Sequence, residues 1–292
     1  MSLGEELFRF ATISDIHVGL DAVGMWPEVR DTELTLEPPG ERCLRAALRE
    51  ATAWGAQLVV AKGDLTQHGT RAQATRAAAI LTGAGVAVIA TRGNHEVSGR
   101  SEPHGDVYLD AGIDWVERDV RAHDVPGLRL VVFDSTVPHS HHGSYNAHAA
   151  AVADVAADAG GPVLLLTHHN PMPLLVPHHW PPGVPSADAN RFLSRVRRAN
   201  PAVWLTTGHT HRNRRYERRG VLVTEVAATH DYPGVWAGYV VHERGLRQEV
   251  HDIAAPEARR WLDATGRTFL GLWRRWSHGS ERARRVDHAW PA

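Results

Sequence analysis

The segment Phe-Arg-Phe-Ala-Thr-Ile-Ser-Asp-Ile-His at residues 8–17 joins a mostly apolar run to a polar ending. Phe8 to Ile13 predicts a β-strand, and Asp15 and His17 follow it directly. Residues i and i+2 of an extended chain point to the same side, so Asp15 and His17 can hold one ion together. The segment therefore predicts a strand that carries a pair of metal ligands at its carboxyl end.

Four further polar motifs follow short apolar runs along the chain. They are Gly63-Asp64, Gly93-Asn94-His95-Glu96, His168-His169-Asn170-Pro171 and Gly208-His209-Thr210-His211. Ligand sites of α/β folds gather at the carboxyl ends of strands, so we expect the five motifs to meet. Carboxylate and amide oxygens with imidazole nitrogens, without sulfur, suit two first-row ions such as Mn, Fe or Zn. Asp64 could bridge the two ions through its two oxygens.

The rest of the chain alternates predicted strands with predicted helices, which indicates an α/β fold. The predicted strands are Leu58 to Ala61, Val86 to Ala90, Leu128 to Phe133, Val163 to Leu166, Val203 to Thr206, and a closing pair at Val221 to Val226 and Trp236 to Val241. The predicted helices are Glu41 to Trp54, Thr70 to Leu81, Ala147 to Ala157, Ala187 to Arg198 and Pro256 to Trp276. We expect a catalytic domain over residues 1–250 and a C-terminal helical extension over 251–292 packed on it.

Composition narrows the function classes. The chain has 292 residues with a formal net charge of −1, so no overall basic character points to nucleic acid. Twenty histidines direct attention to metal binding, and the single Cys43 excludes an intramolecular disulfide. We find no apolar run long enough to cross a membrane and no signal-peptide pattern in Met1 to Glu6, so we expect a cytoplasmic protein.

The order Asp-x-His, Gly-Asp, Gly-Asn-His-Glu, His, Gly-His-x-His resembles the signature of the calcineurin-like metallophosphoesterase superfamily. The resemblance covers about Phe8 to His211. The segment Asp231-Tyr232-Pro233-Gly234-Val235-Trp236 also resembles the tail of bacterial class III cyclic-nucleotide-type phosphodiesterases. The family resemblance implies a four-layer α/β/β/α sandwich with the site at the rim formed by the strand ends.

The resemblance also implies two ligand sets that share Asp64. One ion would take Asp15, His17, Asp64 and His211, and the other would take Asp64, Asn94, His168 and His209. A metal-bridging hydroxide would attack the phosphate in line. His95 resembles the family's histidine that is not a ligand, which acts either as proton donor or as electrostatic partner in the transition state.

Two positions depart from the family pattern. Many members have Asp or Asn where this chain has Gln67, a residue described as orienting the catalytic histidine. Either Gln67 serves His95 through its carbonyl oxygen or another acid does. A second His followed by Pro-Pro is frequent where this chain has His169-Asn170-Pro171. We expect His169, Asn170 and His142 to be candidates for substrate contact.

Several surface features have more than one interpretation. The basic run Arg212, Arg214, Arg215, Arg218 and Arg219 is either a solvated hairpin face or a region that attracts a phosphate-bearing substrate. The terminal helix, with Trp and Arg at helical spacing, docks on the domain, forms a homo-oligomer interface or contacts a membrane surface. The loops that begin at Leu20, His139 and Pro173 are expected to form the walls that choose the substrate.

The predicted function is a dinuclear-metal-dependent hydrolase of a small-molecule phosphodiester, such as a cyclic nucleotide or a glycerophosphodiester. A phosphomonoesterase is the main alternative. A monoester gains more from extra cationic side chains, and none of the five motifs contains arginine. A nuclease and a binding scaffold without catalysis are weaker alternatives, since the charge is near neutral and every expected ligand type is present.

Overall fold

The computed structural model describes residues 3–20, 37–99, 101–172 and 181–291. Its strands are β1 (Glu6–Ile13), β2 (Leu58–Lys62), β3 (Ala87–Thr91), β4 (Asp114–Val116), β5 (Val120–Val125), β6 (Leu128–Phe133), β7 (Val163–Leu166), β8 (Val203–Thr207), β9 (Arg214–Arg218), β10 (Val221–Glu225), β11 (Val235–His242), β12 (Gly245–Asp252) and β13 (Arg285–Ala289). Its helices are α1 (Pro39–Ala53), α2 (Arg71–Thr82), α3 (Gly105–Asp110), α4 (Ala149–Ala157), α5 (Ser186–Ala199), α6 (Pro256–Thr265), α7 (Leu272–His278) and α8 (Glu281–Arg284).

The strands form two mixed sheets. The first sheet has the order β13-β12-β11-β1-β2-β3-β4, and its β1 to β4 portion is parallel. The second sheet has the order β5-β6-β7-β8-β10-β9, with β6, β7, β8 and β10 parallel. Short antiparallel strands lie at the edges of the second sheet. Each sheet thus presents the carboxyl ends of neighbouring parallel strands, as the sequence predicts.

Three hydrophobic layers hold the sheets and helices together. Leu44 and Leu48 of α1 and Ala74 and Ala77 of α2 pack on the outer face of the first sheet. The middle layer lies between the sheets, and its large side chains include Phe10, Leu130, Leu164, Trp204 and Tyr239. Phe192, Leu193 and Val152, from α4 and α5, cover the outer face of the second sheet. The order helix, sheet, sheet, helix confirms the predicted four-layer α/β/β/α sandwich.

The predicted helices between Glu41 and Arg198 are all present, with ends shifted by at most two residues. The N-terminus of α2 has a side-chain cap, because Thr70 accepts a hydrogen bond from the Gln73 amide at 3.3 Å. The prediction missed β4, β5, β9, β12 and β13, which are short, polar or at sheet edges. Their stability comes from pairing with a neighbour and not from an apolar pattern of their own.

Two predictions about the C-terminal third are wrong. The expected closing pair of strands is divided, since β10 pairs with β8 in the second sheet and β11 pairs with β1 in the first. The single helix expected from Pro256 to Trp276 is interrupted between α6 and α7, where Phe269 and Leu270 have φ values of 52° and 55°. Consecutive left-handed residues end an α-helix. The division at residue 250 stays a prediction; β12 spans that position and β13 pairs with β12.

Across the described ranges, we find no helix that is long and apolar enough to span a membrane.

The middle layer can be tested at Leu164, which is fully buried between the sheets on β7. We expect Leu164→Ala to lower the free energy of unfolding by about 2 to 5 kcal/mol, because the substitution leaves a cavity between two rigid sheets. Urea denaturation followed by circular dichroism measures this change. The control is Leu109→Ala on α3, where leucine is 53% exposed and a change within about 0.5 kcal/mol is expected. Equal effects of the two substitutions would contradict the layer assignment.

Candidate metal centre

The five polar motifs lie side by side at the rim where the two sheets meet. Asp15 and His17 follow β1, Asp64 follows β2, and Asn94 and His95 follow β3 in the first sheet. The His168 and His209 motifs follow β7 and β8 in the second sheet. The Asp15 carboxylate accepts a hydrogen bond from the backbone N–H of His209, with distances of 3.1 Å to Oδ1 and 3.0 Å to Oδ2. This contact connects the rims of the two sheets. All seven predicted ligands are buried, with 7% exposure or less.

Four of these side chains direct donor atoms to one point. His168 Nε2 lies 3.2 Å from Asp64 Oδ2, 3.2 Å from Asn94 Oδ1 and 3.1 Å from His209 Nδ1. Ligand atoms that share one ion at about 2.1 Å lie about 3 to 3.5 Å from one another. The spacing of these donors therefore fits a single cation.

A second cluster of possible ligand atoms shares Asp64 Oδ2 with the first. His211 Nε2 is 3.3 Å from Asp15 Oδ1, and His17 Nε2 is 3.8 Å from Asp64 Oδ2. The His17 Nε2 atom is buried and has no hydrogen-bond partner among the described residues. A buried polar atom without a partner is costly, and a bound cation would satisfy it. The residues of this second cluster also fit a metal ion.

Each predicted histidine ligand has its other ring nitrogen next to an oxygen. His168 Nδ1 lies 2.9 Å from the Lys62 carbonyl oxygen, and His209 Nε2 lies 3.2 Å from the Pro182 carbonyl oxygen. His211 Nδ1 is 3.1 Å from Asp231 Oδ2. A carbonyl or carboxylate at this position fixes the ring orientation and the tautomer of a metal-binding histidine. The remaining nitrogen of each ring is thus directed toward the other atoms that could bind the metal ion.

Gln67 orients two histidines by different parts of the residue. Its side-chain Oε1 lies 2.8 Å from His17 Nδ1, and its main-chain carbonyl oxygen lies 2.7 Å from His95 Nδ1. The contact with His95 therefore does not need an acidic side chain at this position, because any residue there has the carbonyl. The side chain of Gln67 serves His17 instead.

The backbone at the centre is strained at five of the predicted ligands. Their φ values are 52° for Asp15, 54° for His17, 49° for Asp64, 69° for His209 and 55° for His211. Left-handed backbone costs a residue with a Cβ about 1 to 2 kcal/mol, and such strain clusters at functional sites. Gly208 is required by close approach, since a Cβ there would lie 2.5 Å from Asp15 Oδ2.

Two residues at the centre were not recognised from their own positions in the sequence. Asp231 contacts His211, and the ring of His230 lies 4.5 Å from the ring of His17. His230 also contacts the Asp15 carbonyl oxygen through Nδ1 at 2.8 Å. In the sequence, only the family resemblance of the segment Asp231 to Trp236 pointed to this region. Helix or strand periodicity cannot connect His211 with a residue 20 positions later.

The Glu96 carboxylate connects the loop that carries Asp64 with the loop that carries Asn94. Its Oε1 accepts hydrogen bonds from the Thr66 N–H and hydroxyl, both at 2.8 Å, and its Oε2 accepts the Gly93 N–H at 2.8 Å. Burial raises the pKa of the Glu96 carboxyl, while these hydrogen bonds oppose that effect. The role of this acid is to position the loops that carry Asp64 and Asn94.

The electrostatics of the centre favour bound positive charge. Burial disfavours the charged form of Asp15, yet nearby imidazoles, His211 first, keep the pKa of its carboxyl below the usual range. Burial likewise disfavours the charged form of His168, but Asp64 raises the pKa of that imidazole to about 9. Burial lowers the pKa of His209 to about 3, so this ring is a neutral donor.

A cavity of about 400 Å³ opens onto the donors. His95, His141, Arg212 and His230 line it with several of the predicted ligands. Gln67 and Thr210 also line it, and its apolar lining consists of Leu20, Pro181, Phe269, Trp273 and Trp276. Residues 21–36 and 173–180, which include most of two loops expected to form walls, lie outside the described residues.

The three candidates for substrate contact are not among the residues that line the cavity. His169 and Asn170 are fully buried, and His169 Nδ1 lies 2.9 Å from Ser135 Oγ. His142 is exposed and its Nδ1 lies 2.5 Å from Ser140 Oγ. Of the loop that begins at His139, it is His141 that lines the cavity, and His141 Nδ1 is 3.4 Å from Asn94 Nδ2. Substrate contact by His169, Asn170 and His142 stays a prediction.

Comparison with known proteins gives a family match and several similar folds. The profile of the calcineurin-like phosphoesterase family matches residues 8–213. No curated protein sequence matches the chain significantly. Similar solved structures include sulfate thiohydrolase SoxB of Thermus thermophilus, with TM-score 0.52, 16% identity, and coverage of 91% of this chain and 61% of that one.

A putative 5'-nucleotidase of Staphylococcus aureus has TM-score 0.55 and 11% identity, and the match covers 88% of this chain and 57% of that one. Purple acid phosphatase PPD1 of yellow lupin has TM-score 0.53 and 12% identity, with 87% and 53% covered. The chain thus spans less than two thirds of the length of these three proteins. At such low identity the likeness supports the fold alone.

The contact between Gln67 and His17 generates a testable expectation. We expect Gln67→Ala to weaken metal binding by about 10- to 100-fold, because His17 loses the oxygen that fixes its ring. Competition with a chelating indicator measures the affinity. Gln67→Glu is the matched control, since it retains an acceptor oxygen near His17 Nδ1 and should bind metal at least as tightly as Gln67→Ala. Unchanged affinity in Gln67→Ala would show that the ring is fixed by other contacts.

Proposed function

Because the chain belongs to the calcineurin-like phosphoesterase family, we propose that it is a two-metal hydrolase of small phosphodiesters. The observation that carries the proposal is the pair of clusters of possible ligand atoms that share Asp64, several members of which line the cavity. The two substrate classes proposed are cyclic nucleotides and glycerophosphodiesters. A phosphomonoesterase is the alternative.

In the proposed centre, one cation is held by Asp15, His17, Asp64 and His211, and the other by Asp64, Asn94, His168 and His209. Mn, Fe and Zn suit this mixture of carboxylate, amide and imidazole donors. When bound, two such cations supply hydroxide near neutral pH and neutralise charge on the phosphate. The protein's own task is to hold seven side chains in place before substrate arrives, which the buried contacts of their outer atoms support.

His95 is the proposed proton donor to the leaving alcohol. Its backbone N–H donates to Asp64 Oδ1 at 2.9 Å, and its Nδ1 faces the Gln67 carbonyl oxygen at 2.7 Å. A carbonyl oxygen can only accept, so Nδ1 carries a hydrogen. To act as the donor, the ring would carry a hydrogen on both nitrogens, and Nε2 would then give its proton to the leaving oxygen in the cavity.

The small number of lysine and arginine side chains in the cavity lining supports a diester over a monoester. A diester carries one negative charge, whereas a monoester carries nearly two at neutral pH. Among the described lining residues, Arg212 is the only lysine or arginine. Its Nε is buried without a hydrogen-bond partner in the described part of the chain, and its guanidinium lies 5.7 Å from the Trp273 ring centre. One arginine is thus available to a phosphate oxygen or a second anionic group.

The remaining expectations are narrower proposals. The cytoplasm is the proposed location, and residues 251–292 are proposed as an extension of a catalytic domain formed by residues 1–250. Trp261 and Leu262 of α6 pack into the core with α1, which supports docking of this extension on the domain. Oligomer formation and contact with a membrane through the C-terminal segment stay predictions.

Removal and return of metal tests the proposed function. We expect the metal-stripped protein to be inactive and to regain hydrolysis of bis(4-nitrophenyl) phosphate with Mn, Fe or Zn, at a higher kcat/KM than with 4-nitrophenyl phosphate. Release of 4-nitrophenolate provides the measurement. Asp64→Ala is the control, and it should lose activity and at least one equivalent of metal. Failure of every metal to restore turnover of either ester would overturn the hydrolase, whereas preference for the monoester would favour the alternative.

Arg212 provides a second test. We expect Arg212→Ala to raise KM for a phosphodiester by about 10-fold or more, because a charge-assisted hydrogen bond contributes about 1.5 to 3 kcal/mol. Metal content, measured by elemental analysis, should be unchanged. Arg215→Ala on β9 is the matched control, since Arg215 is exposed and lies outside the cavity, and its KM should match that of the wild type. Identical kinetics for the two variants would exclude Arg212 from substrate binding.

A further inference from the structure

The C-terminal segment around α7 forms one wall of the cavity. Trp273 is buried, with 6% of its surface exposed, whereas Trp276 and Phe269 are 51% and 40% exposed and also line the cavity. Indole and phenyl rings present large flat surfaces at little cost in conformational entropy. The wall therefore places the partly exposed rings of Trp276 and Phe269 along the cavity.

This wall is fixed to the loops of the metal centre. The Asn213 N–H donates to the Ser277 carbonyl oxygen, and Asn213 Nδ2 donates to the His278 carbonyl oxygen, both at 3.0 Å. Asn213 stands only two residues after His211, whose ring centre is 6.5 Å from that of Trp273. The position of α7 is thereby set relative to the donor atoms.

A second set of contacts fastens the same segment to the loop that carries His230. Trp261 Nε1 donates to the His230 carbonyl oxygen at 2.6 Å, and the Tyr232 N–H donates to Thr265 Oγ1 at 2.9 Å. The Arg274 guanidinium lies 4.4 Å from the Tyr232 ring centre. Because the wall is hydrogen-bonded to both the His211 loop and the His230 loop, it is held in a defined position at the site.

The backbone of the wall is also strained. Phe269 and Leu270 are consecutive left-handed residues with φ values of 52° and 55°, and neither is a glycine. The Leu270 side chain is fully exposed, so its own burial does not offset this strain. Strained backbone that brings a phenyl ring to a cavity is typical of a binding site.

We propose that Trp276 and Phe269 select a phosphodiester in which one alcohol group carries a planar ring, such as an aryl group or a nucleobase. The proposal rests on the proposed function and deepens it. The phosphate lies at the donors, with Arg212 beside it, and the ring stacks on Trp276. Of the two proposed substrate classes, the cyclic nucleotide has such a ring and the glycerophosphodiester has none.

Binding of phosphonates tests the proposal without turnover, because their phosphorus–carbon bond is not a substrate for ester hydrolysis. The affinities of the Mn-loaded protein for phenylphosphonate, hexylphosphonate and methylphosphonate are measured by calorimetry. We expect phenylphosphonate to bind about 10-fold more tightly than methylphosphonate, as stacking on an aromatic side chain typically gives. In Trp276→Ala this ratio should fall below about 2, and Trp276→Phe should restore most of it.

Leu272→Ala is the matched control. Leu272 lies on the same helix and is 45% exposed, yet it is not among the residues that line the cavity. Its variant should keep the wild-type ratio. Equal binding of phenylphosphonate and methylphosphonate by the wild type, or an unchanged ratio in Trp276→Ala, would overturn the proposal. A gain for hexylphosphonate as large as that for phenylphosphonate would overturn the preference for a ring.

Failure of the ring-site proposal can be distinguished from failure of the proposed hydrolase function. A protein that binds phenylphosphonate through Trp276 but never hydrolyses an ester would contradict the hydrolase and leave the ring site in place. A protein that hydrolyses diesters with the same phosphonate affinities in the wild type and Trp276→Ala would contradict only the ring site.

Discussion

Two carboxylates, Asp15 and Asp64, are removed from water where the sheets meet, with 0% and 2% exposure. A buried carboxylate without compensating positive charge is strongly unfavourable. The neighbouring imidazoles supply part of this positive charge, as the raised pKa of His168 shows. Bound cations would supply more of it. The rest of the centre can be understood as the structure needed to keep two such carboxylates together.

That structure spans both sheets. The first sheet carries Asp15 and Asp64, and the second carries three of the imidazoles, so neither sheet forms the centre without the other. Lys62 links them just below the site, because its Nζ donates to Thr206 Oγ1 at 3.2 Å and to the Thr207 carbonyl oxygen at 2.8 Å. Burial lowers the pKa of Lys62 to about 7, while Asp15 opposes that effect. Lys62 thus adds a polar link between the two sheets, beside the contact of the Asp15 carboxylate with the His209 N–H.

The cavity above the donors is asymmetric in chemistry. Its floor includes the Asp64 carboxylate, several imidazoles and the amides of Asn94 and Gln67, whereas the wall from the C-terminal segment consists of aromatic rings. The floor is suited to a phosphate and the wall to the organic part of an ester. The segment was expected as one helix. It is interrupted at Phe269 and Leu270, and the rings of Phe269 and Trp276 line the cavity.

The sequence by itself determined the α/β alternation, the five motifs at strand ends and the residue types that could bind metal. Short-range patterns determine these features, since short apolar runs and the polar residues after each of them depend only on neighbours in the chain. The tertiary structure decided which outer atom each histidine meets, how Gln67 divides its two carbonyl oxygens between His17 and His95, and that Arg212 and Trp276 line the cavity. The histidine contacts join residues 20 to 106 positions apart, and a separation of that size leaves no periodic signal in the sequence.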